Sequence, residues 1–321
     1  MKAAVSDRYG PPEVVQIKEV PMPVLKAGEL LVESHAATVN SGDARLRALR
    51  VPRGMSALVR LTMGVTKPRR SVLGFEMVGR VTEVASDVSG FQPGDRVIAS
   101  RGFKFGCHAE YITVAEHGQV ARIPDNLSYE AAVALCFGGS TAVYFLERAK
   151  LSAGESILIN GASGAVGAIA VQLAKHRGAE VTAVCSRANV ELMRGLGADH
   201  IIDYTTQDFT QNGQHYDVVM DTVGNAPYAR VKNSLKPDGR FLMVVGDLFQ
   251  TVASAWQRAT IGGTTKVSGE IYRTLMSLAE QGVLTPVIDT VLPFEQIVEA
   301  HRRVDGGHKV GSIVLTFGKD R

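Results

Sequence analysis

Several features are scarce in this 321-residue sequence, and each scarcity excludes a class of protein. Its three cysteines, Cys107, Cys136 and Cys185, are widely spaced and odd in number, which excludes a disulfide scaffold and favours buried, reduced thiols. No apolar run is long enough to cross a bilayer, and the first residues lack the apolar core of a signal peptide. The sequence therefore predicts a cytoplasmic protein without a membrane span.

The sequence also has little net charge and no histidine spacing typical of a metal site. The formal net charge of +3 is too small to predict nucleic-acid binding. The eight histidines show no His-x-x-x-His or similar ligand spacing. The hydrophobic fraction of 45% and the charged fraction of 21% are typical of a globular protein, and the length suggests about two domains.

The most informative stretch that is present is a glycine-rich turn between a strand and a helix. Residues 157–159 form an apolar run, which predicts a strand buried on both faces. Val166, Ala170 and Leu173 give the following helix an apolar face. A second apolar run, residues 181–185, completes a β-α-β unit. This context predicts a dinucleotide-binding site.

Each glycine in the turn has an expected role. Gly161 or Ala162 makes the turn, Gly164 lets the backbone approach a pyrophosphate, and Gly167 lets the helix pack closely on the strand. The phosphates would bind N–H groups at the helix N-terminus. The loop residues expected to bind the cofactor are Gly161, Ala162, Ser163, Gly164, Ala165 and Val166.

The residues after the second strand predict which cofactor is bound. An NAD enzyme usually carries an acid there to bind the adenosine ribose. This sequence has Ser186 and Arg187 instead, and its nearest acid, Glu191, falls inside the next helix. Because a hydroxyl and a guanidinium suit a phosphate, we expect NADPH. The alternative is that Arg187 is a solvated charge.

The distribution of strand and helix patterns predicts two domains. Short strands broken by Gly and Pro fill the first hundred residues and predict a barrel-like β domain. From Ser128 onward, strands alternate with helices, which predicts a doubly wound parallel sheet. We expect the last strand, residues 312–317, to return to the β domain. The expected domains are 1–126 with 270–321, and 127–269.

Six motifs occur in one order over nearly the whole chain: residues 38–43, 74–79, 91–97, 109–111, 161–167 and 196–204. In these motifs the sequence resembles the medium-chain dehydrogenase/reductase superfamily, most closely its zinc-independent quinone oxidoreductase branch and the enone-reducing relatives. The resemblance implies a Rossmann sheet inserted into a barrel-like (GroES-like) catalytic domain. It also implies that Thr141, Tyr204 and Val245 contribute to the cofactor site.

The resemblance further implies that the catalytic zinc of the family's alcohol dehydrogenases is missing. Their Cys and His ligand positions carry Asn40 and Phe75 here, and neither an amide nor a phenyl ring replaces a thiolate or an imidazole on zinc. Cys136 lies near another ligand position but is expected to be a small buried hydrophobe. We therefore expect no metal.

Without a metal, a polarised double bond needs a hydrogen-bond donor for its developing oxyanion. Asn40, Arg45 and Thr141 are candidates by their motif positions, and Asn40 is preferred, because relatives often carry Tyr at the position of Arg45. Asp43 is either catalytic or a structural cap, and Glu76 either acts or braces the cleft. Solvent is an alternative source of the proton.

Two further segments have open interpretations. Between Asp43 and Glu76 lie eight basic residues and no acid, which indicates either a solvated face or a basic lid for anionic substrates. Residues 247–266 are apolar and suit a substrate cleft or a subunit interface. Relatives commonly pair through an edge strand, so a homodimer is expected, with residues 266–268 as that strand.

Three functions are compatible with the sequence. The preferred one is NADPH-dependent, metal-free reduction of a quinone or an α,β-unsaturated carbonyl, both small-molecule substrates. The second is a carbonyl reductase or alcohol dehydrogenase of the same superfamily. The third is an NADPH-binding redox sensor with little turnover, since the glycine fingerprint reports binding and not chemistry.

Overall fold

The structure is a computed structural model that describes residues 1–50, 54, 56–247, 249–250, 254 and 257–318. Its strands are β1 (Lys2–Ser6), β2 (Val15–Glu19), β3 (Glu29–Val39), β4 (Glu76–Val84), β5 (Arg96–Ser100), β6 (Tyr111–Ala115), β7 (Gln119–Arg122), β8 (Ser156–Asn160), β9 (Glu180–Cys185), β10 (His200–Asp203), β11 (Tyr216–Asp221), β12 (Leu235–Met243), β13 (Thr260–Ile261), β14 (Ile288–Pro293) and β15 (Ser312–Thr316). Its α-helices are α1 (Ser41–Ala48), α2 (Ser56–Met63), α3 (Tyr129–Ala134), α4 (Cys136–Ala149), α5 (Ala165–His176), α6 (Val190–Gly195), α7 (Tyr228–Val231), α8 (Gly269–Glu280) and α9 (Ile297–Asp305). Within these ranges, no helix has both the length and the apolarity to cross a membrane.

A six-stranded parallel sheet carries the glycine motif. Its strands lie in the order β10-β9-β8-β11-β12-β13, so the chain starts at the centre, builds one half and then returns to build the other. Ile157, Leu158 and Ile159 in β8 have no exposed surface. An uninterrupted apolar strand is required here because helices cover both faces of a parallel sheet. The predicted doubly wound sheet is confirmed.

The helix after the glycine turn follows its sequence pattern. Ala170 and Leu173 of α5 are buried in the main core, and Val166 packs against that core from a half-buried position. The helix ends at His176, and Gly178 adopts a φ of +79° just beyond it. Glycine is favoured there because this left-handed backbone conformation strains residues that carry a Cβ.

The remaining large sheet draws its strands from both ends of the chain. Its order is β14-β15-β3-β4-β5-β7, with β6 also paired to β3, and β1 and β2 form a separate two-stranded sheet. The last strand, β15, runs antiparallel to β3, with Ile313 opposite Val39. This pairing confirms the predicted return of the C-terminal strand and the insertion of the parallel sheet. The domain boundaries themselves remain predictions.

The prediction for the edge of the parallel sheet was wrong. The edge strand is β13, which pairs with Phe241 and Leu242 of β12, and residues 266–268 form no strand. Ser268 instead caps α8, because its hydroxyl accepts a hydrogen bond from the Ile271 N–H at 3.2 Å. Within the apolar segment 247–266, Val252 and Trp256 lie outside the described residues. The homodimer remains a prediction.

The two large sheets meet at the glycine turn. The Gly311 N–H donates to the Ser163 carbonyl at 2.8 Å, and Gly311 forms an isolated parallel bridge with Gly164. The Ser312 hydroxyl also donates to the Ala134 carbonyl at 3.0 Å. The segment that leads into β15 therefore lies directly against the loop expected to bind phosphate.

Candidate active site

A cavity of about 1050 Å³ opens where the two sheets meet. One wall comes from the carboxyl ends of the parallel strands and from the glycine turn. The other wall comes from α1, the end of α9 and the segment that follows α9. Of the residues predicted to act or to bind cofactor, these line it: Asn40, Arg45, Gly161, Ser163, Gly164, Ala165, Val166, Ser186 and Tyr204.

The glycine turn has the backbone geometry that its motif predicts. Gly161 has a φ of +79°, so it, and not Ala162, makes the turn. A Cβ on Gly167 would lie 2.3 Å from the Gly161 carbonyl oxygen, which explains the close packing of helix on strand. A Cβ on Gly164 would meet nothing closer than 3.4 Å. Packing within the protein therefore does not require glycine at 164, as expected if its role is to let a ligand approach the backbone.

Polar residues that were not predicted from the sequence lie between β8 and β11, where the strand order of the sheet reverses. Asn160, at the end of β8, donates to Asp221 at 2.9 Å and to Asn225 at 2.8 Å. Asp221, at the end of β11, accepts from three backbone N–H groups of the following loop. Asn160 and Asn225 line the cavity. Polar residues that end two apolar strands were the available signal, because ligands bind at this point in doubly wound sheets.

The adenosine end of the predicted site is open to solvent. Ser186, Asn189 and Tyr204 line the cavity, and the Asn189 amide donates to the Ser186 hydroxyl at 3.2 Å. Asn189 was not predicted. Arg187 is exposed and does not line the cavity. Hydrogen bonds from Thr205, with a smaller contribution from the charge of Arg187, lower the pKa of Asp203. Arg187 therefore lies at the rim of this end.

On the opposite wall, Asn40 is held by its own helix. Its Oδ1 accepts from the N–H groups of Gly42 at 2.8 Å and Asp43 at 3.1 Å, which caps α1. Its Nδ2 donates to Glu76 Oε1 at 3.4 Å. Because the amide oxygen is committed to the helix, the donor end of Asn40 is directed away from it, and Asn40 lines the cavity.

Asp43 completes this cap and does not line the cavity. Its carboxylate accepts from the Asn40 N–H at 3.1 Å and from the Gly74 N–H at 3.2 Å, with 1% of the residue exposed. Burial raises its pKa to about 7, and the two N–H donors oppose the shift. Of the two roles considered for Asp43, this geometry is that of the structural cap, because both oxygens already bind backbone groups.

Glu76 lies beneath Asn40 as a second buried acid. Its Oε1 accepts from the Thr38 hydroxyl as well as from Asn40. Burial raises its pKa to about 8, the two hydrogen bonds oppose this shift, and the charge of Asp43 adds to it. Since that value exceeds 7, the carboxyl is mostly protonated at neutral pH. The neutral form places little negative charge behind the Asn40 amide.

The basic segment contains both cavity-lining and surface arginines. Arg45 and Arg50 line the cavity, and Arg50 forms an ion pair with Asp305, which also pairs with the buried Arg47 at 2.6 Å. Burial lowers the pKa of Arg45. Three other guanidiniums donate to backbone carbonyls at the surface: those of Arg60, Arg69 and Arg70.

Comparison with known proteins identifies the family. The family model described as "Alcohol dehydrogenase GroES-like domain" matches residues 26–125, and that described as "Zinc-binding dehydrogenase" matches residues 196–315. The chain is 32% identical to "2-methylene-furan-3-one reductase" of Solanum lycopersicum, over 98% of this chain and 79% of the relative. It belongs to the medium-chain dehydrogenase/reductase superfamily.

Two further relatives place it in the quinone oxidoreductase-like branch of that superfamily. One is "NADPH-dependent alkenal/one oxidoreductase, chloroplastic" of Arabidopsis thaliana, which is 30% identical over 98% of this chain and 79% of the relative. The other is a solved structure, the quinone oxidoreductase from Coxiella burnetii. It superposes with a TM-score of 0.87 at 29% identity, over 98% of this chain and 99% of that one. The chain is therefore an oxidoreductase that uses a nicotinamide cofactor.

At the metal position of the superfamily, this structure has aromatic packing. The Phe75 ring meets Phe105 with centroids 4.9 Å apart and Phe137, which lines the cavity, at 6.5 Å. The fully buried Cys136 thiol donates to its own helix, to the Ala132 carbonyl at 3.3 Å. Among the described residues, no three His, Cys, Asp or Glu side chains are arranged to hold a metal ion.

Two residues that the superfamily resemblance assigned to the cofactor site do not line the cavity. The Thr141 hydroxyl donates within its own helix, to the Phe137 carbonyl at 2.9 Å, and the residue is buried. Val245 follows β12, where a Cβ on Gly224 would lie 2.8 Å from its side chain. Neither lines the cavity, and the same holds for the fully buried Ala162.

Proposed function

We propose that this protein is a metal-free, NADPH-dependent reductase of quinones or α,β-unsaturated carbonyls. One observation carries the proposal. A single cavity brings together a pyrophosphate-type glycine turn and the Asn40 amide, while the zinc-ligand positions hold Asn40 and Phe75. The names of the relatives, an alkenal/one oxidoreductase and a furanone reductase among them, support this substrate class.

The glycine turn and the N-terminus of α5 form a cradle for phosphate groups that fits a dinucleotide. The N-terminus of α5 is capped by Gly164, whose lack of a side chain leaves the first N–H groups of the helix facing the cavity. Ser163, Ala165 and Val166 continue the cradle, and Ser186 and Tyr204 lie where the adenosine half would extend. When bound, the nicotinamide supplies the hydride.

The protein contributes position and a hydrogen bond to the substrate. An amide nitrogen carries two N–H groups, and Asn40 directs one of them to Glu76. The second can donate to the substrate carbonyl oxygen as negative charge develops there. Protonated Glu76 does not repel that charge. The Phe137 ring, packed on Phe75, gives the site an apolar side. Solvent supplies the proton in this proposal.

The preference for NADPH rests on the turn after β9. Ser186 lines the cavity, Arg187 lies at its rim, and the first acid along the chain, Glu191, is in α6. A carboxylate that would repel the 2′-phosphate is therefore absent from the described turn of residues 186–190. The cytoplasmic location and the homodimer remain predictions that accompany this proposal.

A cofactor-oxidation panel tests the function. NADPH consumption is measured with a quinone, an enone and a simple ketone, before and after exhaustive chelation. We expect turnover with the quinone or the enone, little with the ketone, and no change on chelation. Activity with the ketone alone indicates a carbonyl reductase. Tight binding without turnover indicates a redox sensor, and loss of activity together with a stoichiometric zinc contradicts the metal-free chemistry.

A further inference from the structure

The segment before β15, residues 307–311, is hydrogen-bonded to the glycine turn. The Gly311 N–H donates to the Ser163 carbonyl, and Gly311 bridges to Gly164. Glycine is required at 311, because φ is +70° and a Cβ would lie 2.1 Å from the Val287 carbonyl oxygen. This close approach places the residues just before Gly311 beside the phosphate cradle, although they belong to the other sheet.

Lys309 is the charged residue of this segment that faces the cradle. It lines the same cavity as Gly164, and its ammonium donates to the Gly311 carbonyl at 2.5 Å. Burial lowers its pKa to about 8, and the charge of Asp289 opposes the shift. Asp289 is itself engaged by Arg303 and by the Val310 N–H. Among the described residues, no carboxylate forms an ion pair with Lys309.

Lys309 is half-buried, and the carboxylate whose charge acts on it, Asp289, is already paired with Arg303. An ammonium placed in this way gains stability when an anion binds beside it. The cavity offers a second feature of the same sign, since the N-terminus of α5 presents free N–H groups and the positive end of the helix dipole. Lys309 and this N-terminus belong to different sheets and border one cavity. Their common preference is for a small, multiply charged oxyanion.

We propose that Lys309 binds the diphosphate of the cofactor from the wall opposite the N-terminus of α5. This inference rests on the proposed function, because it takes a dinucleotide as the ligand of the glycine turn. The diphosphate is common to NADPH and NADH, so Lys309 contributes equally to both. It thereby differs from Arg187, which is expected to act on NADPH alone.

The test compares Lys309→Met, which removes the charge, with Lys309→Arg, which keeps it. Dissociation constants are measured by titration for NADPH, NADH and ADP-ribose, all of which carry the diphosphate. Loss of one charge-assisted contact should weaken all three about 10- to 100-fold in Lys309→Met. We expect Lys309→Arg to stay within about threefold of the wild type. Lys232→Met, which removes an exposed charge from the same chain, should change nothing.

Folding is checked by thermal unfolding of each variant without ligand. Lys309→Met should melt no lower than the wild type, because it removes a half-buried charge, and Lys309→Gln provides a polar, uncharged second variant. Unchanged binding of all three nucleotides in Lys309→Met overturns this inference and leaves the proposed function intact. A higher KM for a carboxylate-bearing enone, with unchanged cofactor binding, also overturns it by assigning Lys309 to substrate. A wild-type protein that binds neither NADPH nor NADH overturns the proposed function as well.

Discussion

The two walls of the cavity are built differently. The nucleotide wall combines the glycine turn, residues 160–166 without Ala162, with segments that follow β9, β10 and β11. Its important features are backbone conformations, such as the positive φ of Gly161. The opposite wall joins residues that are far apart in the chain, among them Asn40 and Lys309. Its important features are buried polar and charged side chains.

The difference predicts how each wall responds to substitution. In the glycine turn, a new Cβ either clashes with the protein or points into free space. A substitution there should therefore lower either stability or cofactor binding, and not both. On the opposite wall, one side chain serves both fold and chemistry, since Asn40 caps α1 and also lines the cavity. Substitutions on both walls should separate these roles. The expected effects decrease from Asn40 to the glycine turn, Glu76 and Arg187.

Replacing Asn40 should have the largest effect on the reaction. Asn40→Ala removes the proposed donor to the developing oxyanion, and loss of one such donor typically lowers kcat by about 10²–10³-fold. It also removes the cap of α1, which should lower the free energy of unfolding by about 1 kcal/mol. Both quantities can be measured, by steady-state kinetics and by denaturant unfolding.

Asn40→Ser is the matched control, because serine caps helices well but cannot present an amide N–H. We expect its stability to match that of the wild type while kcat remains low. Recovery of both stability and kcat in Asn40→Ser would show that Asn40 serves the fold alone, and the oxyanion role would then be wrong.

A pair of substitutions in the glycine turn should separate fold from ligand. Gly167→Ala places a Cβ 2.3 Å from the Gly161 carbonyl oxygen and should cost about 3 kcal/mol of stability. Gly164→Ala meets nothing closer than 3.4 Å and should fold normally, but its methyl group blocks the approach of a pyrophosphate. We expect NADPH to bind about tenfold or more weakly to Gly164→Ala. Thermal unfolding and titration of both variants check this, and normal binding by Gly164→Ala contradicts the assigned site.

Glu76 should make stability depend on pH in a particular direction. The unfolded carboxyl titrates near 4.5 and the folded one near 8, so between these values the folded state holds a proton that the unfolded state has lost. The free energy of unfolding should therefore fall as pH rises through this window, by up to about 1.4 kcal/mol per pH unit. Glu76→Gln cannot titrate and should remove this part of the decline.

The control is Glu83→Gln, an exposed position on the same strand, which should leave the profile unchanged. The reaction gives a second measure. Ionised Glu76 repels a developing oxyanion, so kcat/KM of the wild type should fall above about pH 8. Identical pH profiles for the wild type and Glu76→Gln, in stability and in rate, refute the assignment.

The smallest effect is expected at the exposed end of the nucleotide wall. Arg187→Ala should weaken NADPH binding about tenfold, the low end for a charge-assisted contact, because Arg187 is open to solvent. NADH lacks the 2′-phosphate, so its binding should not change. Arg194→Ala removes a nearby exposed charge on α6 and is the control. Equal binding of NADH and NADPH to the wild type would contradict the NADPH assignment.

The glycine turn of the nucleotide wall could be predicted from the sequence, because its information is local, whereas the residues that line the cavity after β10 and β11, apart from Tyr204, were missed. The apolar run of β8, the three glycines and the apolar face of α5 are contiguous, and each constrains the backbone directly. The same reasoning failed at the sheet edge, where residues 266–268 suit a strand by composition. Ser268 is instead the cap of α8, and which pattern prevails there depends on what packs nearby.

The sequence by itself determined the family, the doubly wound class of the parallel sheet and the glycine turn, because those depend on motifs and periodicity within short stretches. Tertiary structure alone decided the charges of the opposite wall. Asp43 is fixed as a structural cap because the Asn40 and Gly74 N–H groups bind its two oxygens, and Glu76 holds a proton because the fold removes it from solvent. Lys309 lines the same cavity as the glycine turn because the segment before β15 binds that turn through Gly311. Burial sets these properties, and burial is a property of the whole fold.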